Sequence, residues 1–241
     1  MHAEGKRTIT LPAQPRPVEL DLQKTAVLVV DMQNDMVSKG GLMDRDGVDV
    51  TSIQKTVGPI RSTIEAARRA GLPIVFIKTG YRADLSDLVG PEDSPYREEC
   101  KRVHVGEKVR TPDGREGRIL VRDTWNTDIV NALQPRSDDI VVYKKRFSAF
   151  YKTDLDAILR RRGIRTLIVT GCTTSVCVES TIRDATFRDY SPVLLSDCTA
   201  EPVGQEFTRS NHDASLYLIQ TLFGWVANSG EFIGALESPK R

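Results

Sequence analysis

Apolar runs bounded by turn residues alternate with stretches of helical period along most of this chain. Thr25-Ala26-Val27-Leu28-Val29-Val30 is apolar without a break after its first residue and ends at Asp31. That is the pattern of a strand buried on both faces. Ile53, Val57, Ile60, Ile64 and Ala67 recur every three or four residues, which predicts an amphipathic helix over about 52–70, stopped by Gly71. Pro59 falls within it and predicts a kink or a later helix start. Further strands are expected at Ile74-Val75-Phe76-Ile77, at Ile140-Val141-Val142-Tyr143 ending at Lys144, at Leu167-Ile168-Val169, and at Val193-Leu194-Leu195 ending at Asp197. Thr153 caps a helix carrying Leu155, Ile158 and Leu159 and closed by Gly163. Later helices are expected over 177–188 and about 207–223.

This β-α alternation predicts an α/β fold with a parallel sheet covered on both faces. About 80–125 departs from it, being charged and irregular (Tyr81-Arg82-Ala83-Asp84, Pro91-Glu92-Asp93-Ser94-Pro95, Thr111-Pro112-Asp113-Gly114). The segment follows the carboxyl end of a strand, where insertions build binding sites rather than core. Residues 1–20, with Pro12, Pro15 and Pro17, read as an extended N-terminal arm, and 21–241 as one domain.

Composition narrows the function mainly by exclusion. Lys and Arg total 34 against 33 Asp and Glu, so no global field favours nucleic acid or a membrane surface. No apolar run approaches the roughly 18 residues of a membrane span, and Met1-His2-Ala3-Glu4-Gly5-Lys6 lacks the apolar core of a signal peptide. Cys100, Cys172, Cys177 and Cys198 do not form a disulfide framework. The expectation is a cytoplasmic protein with free thiols. His2, His104 and His212 are scattered, so no zinc site is expected. No Gly-rich phosphate loop or Gly-x-Ser-x-Gly elbow occurs either.

Cys177 carries the chemistry. It lies in Gly171-Cys172-Thr173-Thr174-Ser175-Val176-Cys177-Val178, where a buried strand gives way to a helix. A helix N-terminus favours negative charge and so a thiolate. Asp31 and Lys144 also fall at strand carboxyl ends, which share one edge of an open parallel sheet, so the three can meet. A carboxylate can take the thiol proton, an ammonium can stabilise the thiolate, and the thiolate can attack a carbonyl carbon. Taken singly, each has a plainer reading: Asp31 as a turn cap, Lys144 as a solvated charge, Cys177 as a small core residue.

Taken together, Val29-Val30-Asp31-Met32-Gln33-Asn34-Asp35, Lys144-Lys145-Arg146-Phe147-Ser148-Ala149-Phe150 and the Gly171–Val178 run with Asp184-Ala185 resemble, in order and spacing, the isochorismatase-like cysteine hydrolases. The match to Asp-Met-Gln-Asn-Asp, Lys-x-Arg-(Tyr/Phe)-Ser-x-Phe and Cys-Val-Glu-Ser-Thr, with Phe223-Gly224-Trp225-Val226, is closest to the ureidoacrylate amidohydrolase branch. Neighbours of that branch act on biuret, triuret and N-carbamoylsarcosine. The resemblance implies a three-layer α-β-α, Rossmann-like fold with a six-stranded parallel sheet, and a homo-oligomer, tetramer or dimer. It implies Asp31 as base, Lys144 as electrostatic partner and Cys177 as nucleophile, with no cofactor. It also implies a non-proline cis peptide at Cys172-Thr173 that turns the N–H groups of Thr173 and Cys177 toward an oxyanion.

The expected partner is a small ureido or amide substrate, cleaved through a thioester. Gln33, Tyr81 and Phe150 are expected to wall its pocket, with Gln205 either a further polar contact or a plain surface side chain. One of Arg97, Lys101, Arg102, Lys108 and Arg110 either clamps a substrate carboxylate or is simply solvated. Metal-dependent nicotinamidases of this superfamily carry an Asp-x-His pattern where this chain has Thr79-Gly80-Tyr81-Arg82-Ala83-Asp84. Ether-cleaving isochorismatases lack the cysteine. Those two activities, and a catalytically idle oligomeric binding protein, are the alternatives. The ureidoacrylate enzymes carry Asn and Trp near Thr79 and Tyr81, so the resemblance leaves the exact substrate open.

Overall fold

Both faces of the central strands are apolar because both are covered. The computed structural model describes residues 7–88, 90–204 and 207–238. Ten strands occur there: β1 (Thr8–Leu11), β2 (Val18–Asp21), β3 (Thr25–Val30), β4 (Ile74–Thr79), β5 (Lys108–Arg110), β6 (Glu116–Arg118), β7 (Ile140–Lys144), β8 (Thr166–Cys172), β9 (Ser191–Ala200) and β10 (Trp225–Ala227). Six form one all-parallel sheet in the order β10-β9-β8-β3-β4-β7. Val27 and Val29 of β3 join one core and Ala26, Leu28 and Val30 the other, as the two-residue period of a strand requires.

The helices are α1 (Asn34–Val37), α2 (Leu42–Arg45), α3 (Thr51–Arg69), α4 (Pro95–Arg102), α5 (Leu155–Arg161), α6 (Glu179–Thr186), α7 (Asn211–Leu218) and α8 (Ser229–Glu237). Ile53, Ile60 and Ile64 of α3 and Phe232 of α8 cover one face of the sheet. Leu155 and Leu159 of α5 and Ile182 and Ala185 of α6 cover the other. The result is the three-layer α-β-α architecture, with the sheet in the middle.

Several elements differ from the sequence pattern, each for a physical reason. Pro59 lies inside α3 without ending it, and Ile60 and Ile64 beyond it are still buried. The 207–223 helix resolves into α7 and a wider π-type turn over Ile219–Phe223. Three residues suffice for β10 because β9 supplies its ladder, and α8 starts at a reciprocal capping box between Asn228 and Glu231. The N-terminal stretch is not a free arm from residue 8 onward. β1 and β2 pair antiparallel, Leu11 and Leu20 enter the core, and Gln14 exchanges backbone hydrogen bonds with Val226 (2.8 and 3.0 Å).

The charged 80–125 segment folds on a small core of its own, formed by Tyr81, Cys100, Val103, Val109, Ile119 and Leu120 with Leu42 of α2. Asp35 fastens it to the main body. Its carboxylate accepts from Asn126 Nδ2 (2.6 Å), Leu120 N (2.7 Å) and Leu42 N (3.1 Å). Burial pushes its pKa up to about 6 from 3.8, while those hydrogen bonds and the Arg45 charge pull it back. Folded Asp35 therefore holds a proton more readily than the unfolded chain does. It contributes stability below pH 3.8 that is lost as pH rises through about 6. Asp35→Asn is expected to remove that share of the pH dependence, up to about 3 kcal/mol. Urea unfolding of both proteins at pH 4 and pH 7 measures it, and an unchanged slope in the variant contradicts it.

Candidate active site

The strand order places the chemistry. β3 is the first strand of the sheet in sequence; the chain then builds outward through β4 and β7, and returns to lay β8 on the other side of β3. The carboxyl ends on either side of such a reversal border a crevice. Asp31 follows β3, Thr79 ends β4, Lys144 ends β7, and Cys172 ends β8. Cys177 lies four residues past Thr173, in a π-type turn over Thr174–Val178 that runs into α6.

These side chains meet. Lys144 and Asp31 are each only 1% exposed, and Lys144 Nζ lies 2.7 Å from Asp31 Oδ2. Lys144 Nζ also donates to Thr79 Oγ1 (2.8 Å), the Arg146 carbonyl (3.1 Å) and Cys177 Sγ (3.2 Å). Asp31 Oδ1 accepts from Thr79 N and Thr79 Oγ1, both at 2.9 Å. Asp31 has a left-handed backbone, φ 51°, a conformation that short acidic side chains tolerate better than most. Gly171 brings β8 against β3: a Cβ there would lie 2.0 Å from the Val30 carbonyl oxygen, so no side chain fits. The Cys172–Thr173 peptide is cis, and Cys172 Sγ donates to the Asp31 carbonyl (3.3 Å).

Contrary to the thiolate expected at a helix N-terminus, burial and the neighbouring Asp31 charge keep the resting sulfur protonated. Burial pushes the Cys177 thiol up to about 12; Lys144 pulls it down, and Asp31, by its charge and a hydrogen bond, pushes it up again. For Lys144, burial favours the neutral amine, but attraction to Asp31 and Cys177 outweighs it and the pKa ends above the ordinary lysine value. Burial also raises the Cys172 thiol, leaving it a weak nucleophile.

The group opens into a cavity of about 360 Å3, whose wall includes Asp31, Thr79, Lys144, Thr173 and Cys177. Tyr81 lines it, with its hydroxyl bonded to that of Tyr96. Gln33 and Phe150 do not, contrary to the sequence expectation. Gln33 is fully buried and pairs with the Thr79 backbone, donating to its carbonyl (2.9 Å) and accepting from its N–H (2.8 Å). Phe150 packs in the sheet core against Tyr190, ring centroids 5.6 Å apart, and Phe147 of the same motif lines the cavity instead. Gln205 lies outside the described residues. Among the five cations of the insertion, Arg102 reaches the wall, where it donates to Glu99 (2.9 Å) and Asp46 (2.8 Å). Arg97, Lys101 and Lys108 pair with Glu92, Glu98 and Glu116. Arg110 is exposed in β5.

Two residues of the site were not singled out from the sequence. Thr79 stands between Asp31 and Lys144 because β4 lies between β3 and β7. Glu201, buried just beyond β9, accepts from Ser175 N (3.0 Å) and Ser175 Oγ (2.5 Å), with its other oxygen accepting from Val203 N (3.2 Å). It thus holds the start of the turn that carries Cys177, where a carboxylate also meets the positive end of a helical run. The available signal was its place one residue past a strand end on the same edge.

Among the described residues, no group of three or more His, Cys, Asp and Glu side chains is placed to hold a metal ion, and no helix is long and apolar enough to cross a membrane. All four cysteines are free thiols. The isochorismatase domain model matches residues 25–231. The chain belongs to the isochorismatase family. Relatives include the ureidoacrylate amidohydrolase RutB of Rhizobium rhizogenes, 38% identical over 232 residues (95% of this chain, 90% of the relative). A RutB of Methylorubrum extorquens is 40% identical over 233 residues (95% and 90%). Among solved structures, a cysteine hydrolase from Pseudomonas syringae pv. phaseolicola superposes with a TM-score of 0.75 at 32% identity, covering 97% of this chain and 98% of that one. N-carbamoylsarcosine amidase from Thermoplasma acidophilum gives 0.61 at 27% identity, covering 86% and 96%.

Opposite shifts of one thiol test the electrostatics of this family member. Asp31→Asn removes the charge and hydrogen bond that hold the Cys177 proton in place, so the thiol is expected to ionise at lower pH than in the parent. Lys144→Met removes the opposing cation and is expected to raise it further. Thiolate ultraviolet absorbance across a pH titration reads both signs, and a rise in Asp31→Asn contradicts the assignment. Glu201→Gln keeps an acceptor for Ser175 but loses the charge. Its expected effect is a fall of about tenfold in kcat with KM little changed. A change confined to KM contradicts a role in holding the Cys177 turn.

Proposed function

We propose that this chain is a metal-independent cysteine amidohydrolase that cleaves the C–N bond of a small ureido or carbamoyl compound through a thioester. The amidohydrolase class rests on the ureidoacrylate-cleaving relatives. The observation that carries the mechanism is that Lys144 touches both Asp31 and Cys177, all three lining one cavity. Such a group has little use in a protein that only binds, and a thiol has no part in hydrolysing an ether by water attack.

The reaction follows from the charges. Asp31 takes the Cys177 proton as the sulfur adds to the carbamoyl carbon, and Lys144 stabilises the sulfur as it gains charge. The tetrahedral oxyanion is held by the N–H groups of Thr173 and Cys177, each such donor worth about 3 kcal/mol of barrier. Asp31, now protonated, returns its proton to the departing ammonia or amine, leaving a thioester. Water deprotonated by Asp31 then cleaves the thioester, and the proton goes back to sulfur. Tyr81 supports the cavity wall as a substrate contact.

The free thiol fits a reducing cytoplasm. A homo-oligomer is the expected assembly, and Phe187 (71%), Leu222 (64%) and Tyr217 (55%) are exposed apolar side chains available to an interface. Ammonia release from ureidoacrylate, biuret, triuret, N-carbamoylsarcosine and nicotinamide tests the activity. At least one ureide is expected to turn over, and Cys177→Ala to lose at least about a thousandfold in kcat. Near-parental turnover in Cys177→Ala, or nicotinamide as the sole substrate, overturns the reading.

A further inference from the structure

The wall of the cavity comes from two unlike sources. The strand ends and the loops that follow them contribute polar groups around the thiol. The helices after β3 and the insertion contribute Met36, Leu42, Met43, Val103, Val105 and Leu120. Leu42, Val103 and Leu120 belong to the insertion's own apolar cluster, with Met36 and Val105 packed against it. One side of the cavity is thus the bare flank of a small hydrophobic core.

Charge points the same way. Four carboxylates (Asp31, Asp46, Glu99, Glu201) and three cations (Arg102, Lys144, Arg146) line the cavity. The cations have partners already: Arg102 holds Glu99 and Asp46, and Lys144 holds Asp31. The Arg146 guanidinium donates to the Lys145 carbonyl (2.7 Å) and lies 3.9 Å from the Tyr96 ring centroid. A substrate carboxylate would add a fifth negative charge to a partly dry space, at a desolvation cost that this set of cations does not offset. A methylene chain meets no such cost and gains about fourfold in affinity per buried CH2.

We propose that the substrate is a neutral ureido or carbamoyl compound bearing an apolar arm, with its head at Cys177 and its arm against Met36, Leu42, Val103 and Val105. This rests on the amidohydrolase reading and adds the chemical class of the group attached to the reacting nitrogen. It also separates this chain from a preference for short ureido acids.

Two readouts keep the proposal and the reading it rests on apart. Calorimetric binding of N-alkylureas, methyl through hexyl, to the Cys177→Ala protein reports on the cavity alone. Affinity is expected to rise about three- to fourfold per methylene over the first several members, and propylurea to bind more tightly than 3-ureidopropionate. A flat series, or tighter binding of the carboxylate, overturns the apolar arm. Val105→Phe narrows the wall and is expected to end the rise at a shorter chain; an unaltered series in that variant places the arm elsewhere and likewise overturns the proposal. Ammonia release from the same compounds by the unaltered enzyme reports on the chemistry. Its absence from every ureide, with the binding slope intact, overturns the amidohydrolase reading and leaves the cavity assignment standing.

Discussion

A lysine ammonium almost wholly removed from water is the constraint around which the carboxyl edge of this sheet is arranged. Such burial costs several kcal/mol unless anions and acceptors surround the charge closely. Asp31, Thr79, Cys177 and the Arg146 carbonyl do so at 2.7–3.2 Å. Meeting those distances requires three strands to end in step: Val30 lies opposite Ile77, and Thr79 opposite Lys144. A slip of one residue in either ladder turns the side chains to the other face and strands the charge. Register, burial and chemistry are therefore one requirement.

The same edge explains why the insertion is attached where it is. Asp35, just past β3, ties down both Leu42 and Leu120, so the helices after β3 and the insertion share one anchor. Their apolar flank then becomes part of the wall of the cavity that Cys177 lines. A substitution on this flank reshapes the cavity wall without touching the hydrogen bonds of the sheet edge.

Asp31, Lys144 and Cys177 were legible in the sequence because each follows an apolar run, and a parallel sheet brings such positions to one edge. The central strands were legible for the same reason. Thr79 was not, since its importance comes from β4 lying between β3 and β7, a matter of strand order and not of local pattern. Glu201 was not legible either, because a single carboxylate one residue past a strand end has no local pattern that sets it apart from a solvated one. Gln33 and Phe150 belong to the same motifs as Asp31 and Lys144, but motif membership does not tell which way a side chain points. Gln33 turns inward to pair with the Thr79 backbone and Phe150 into the sheet core. The β1–β2 hairpin and three-residue β10 escaped notice because their stability lies in long-range pairing, which periodicity does not register.

The late arrival of β8 beside β3 bears on how the protein is made. Thr170 and Leu28, joined by a hydrogen bond across these strands, stand 142 positions apart in the chain. During synthesis β4 emerges early enough to pair with one edge of β3, while the other edge waits for most of the polypeptide to appear. An apolar strand with an open edge is a site for wrong pairing, between nascent chains as much as within one. The crevice beside Cys177 is thus, on the ribosome, a seam that closes late, with only β9 and β10 still to be added, and a place where a chaperone has much to protect.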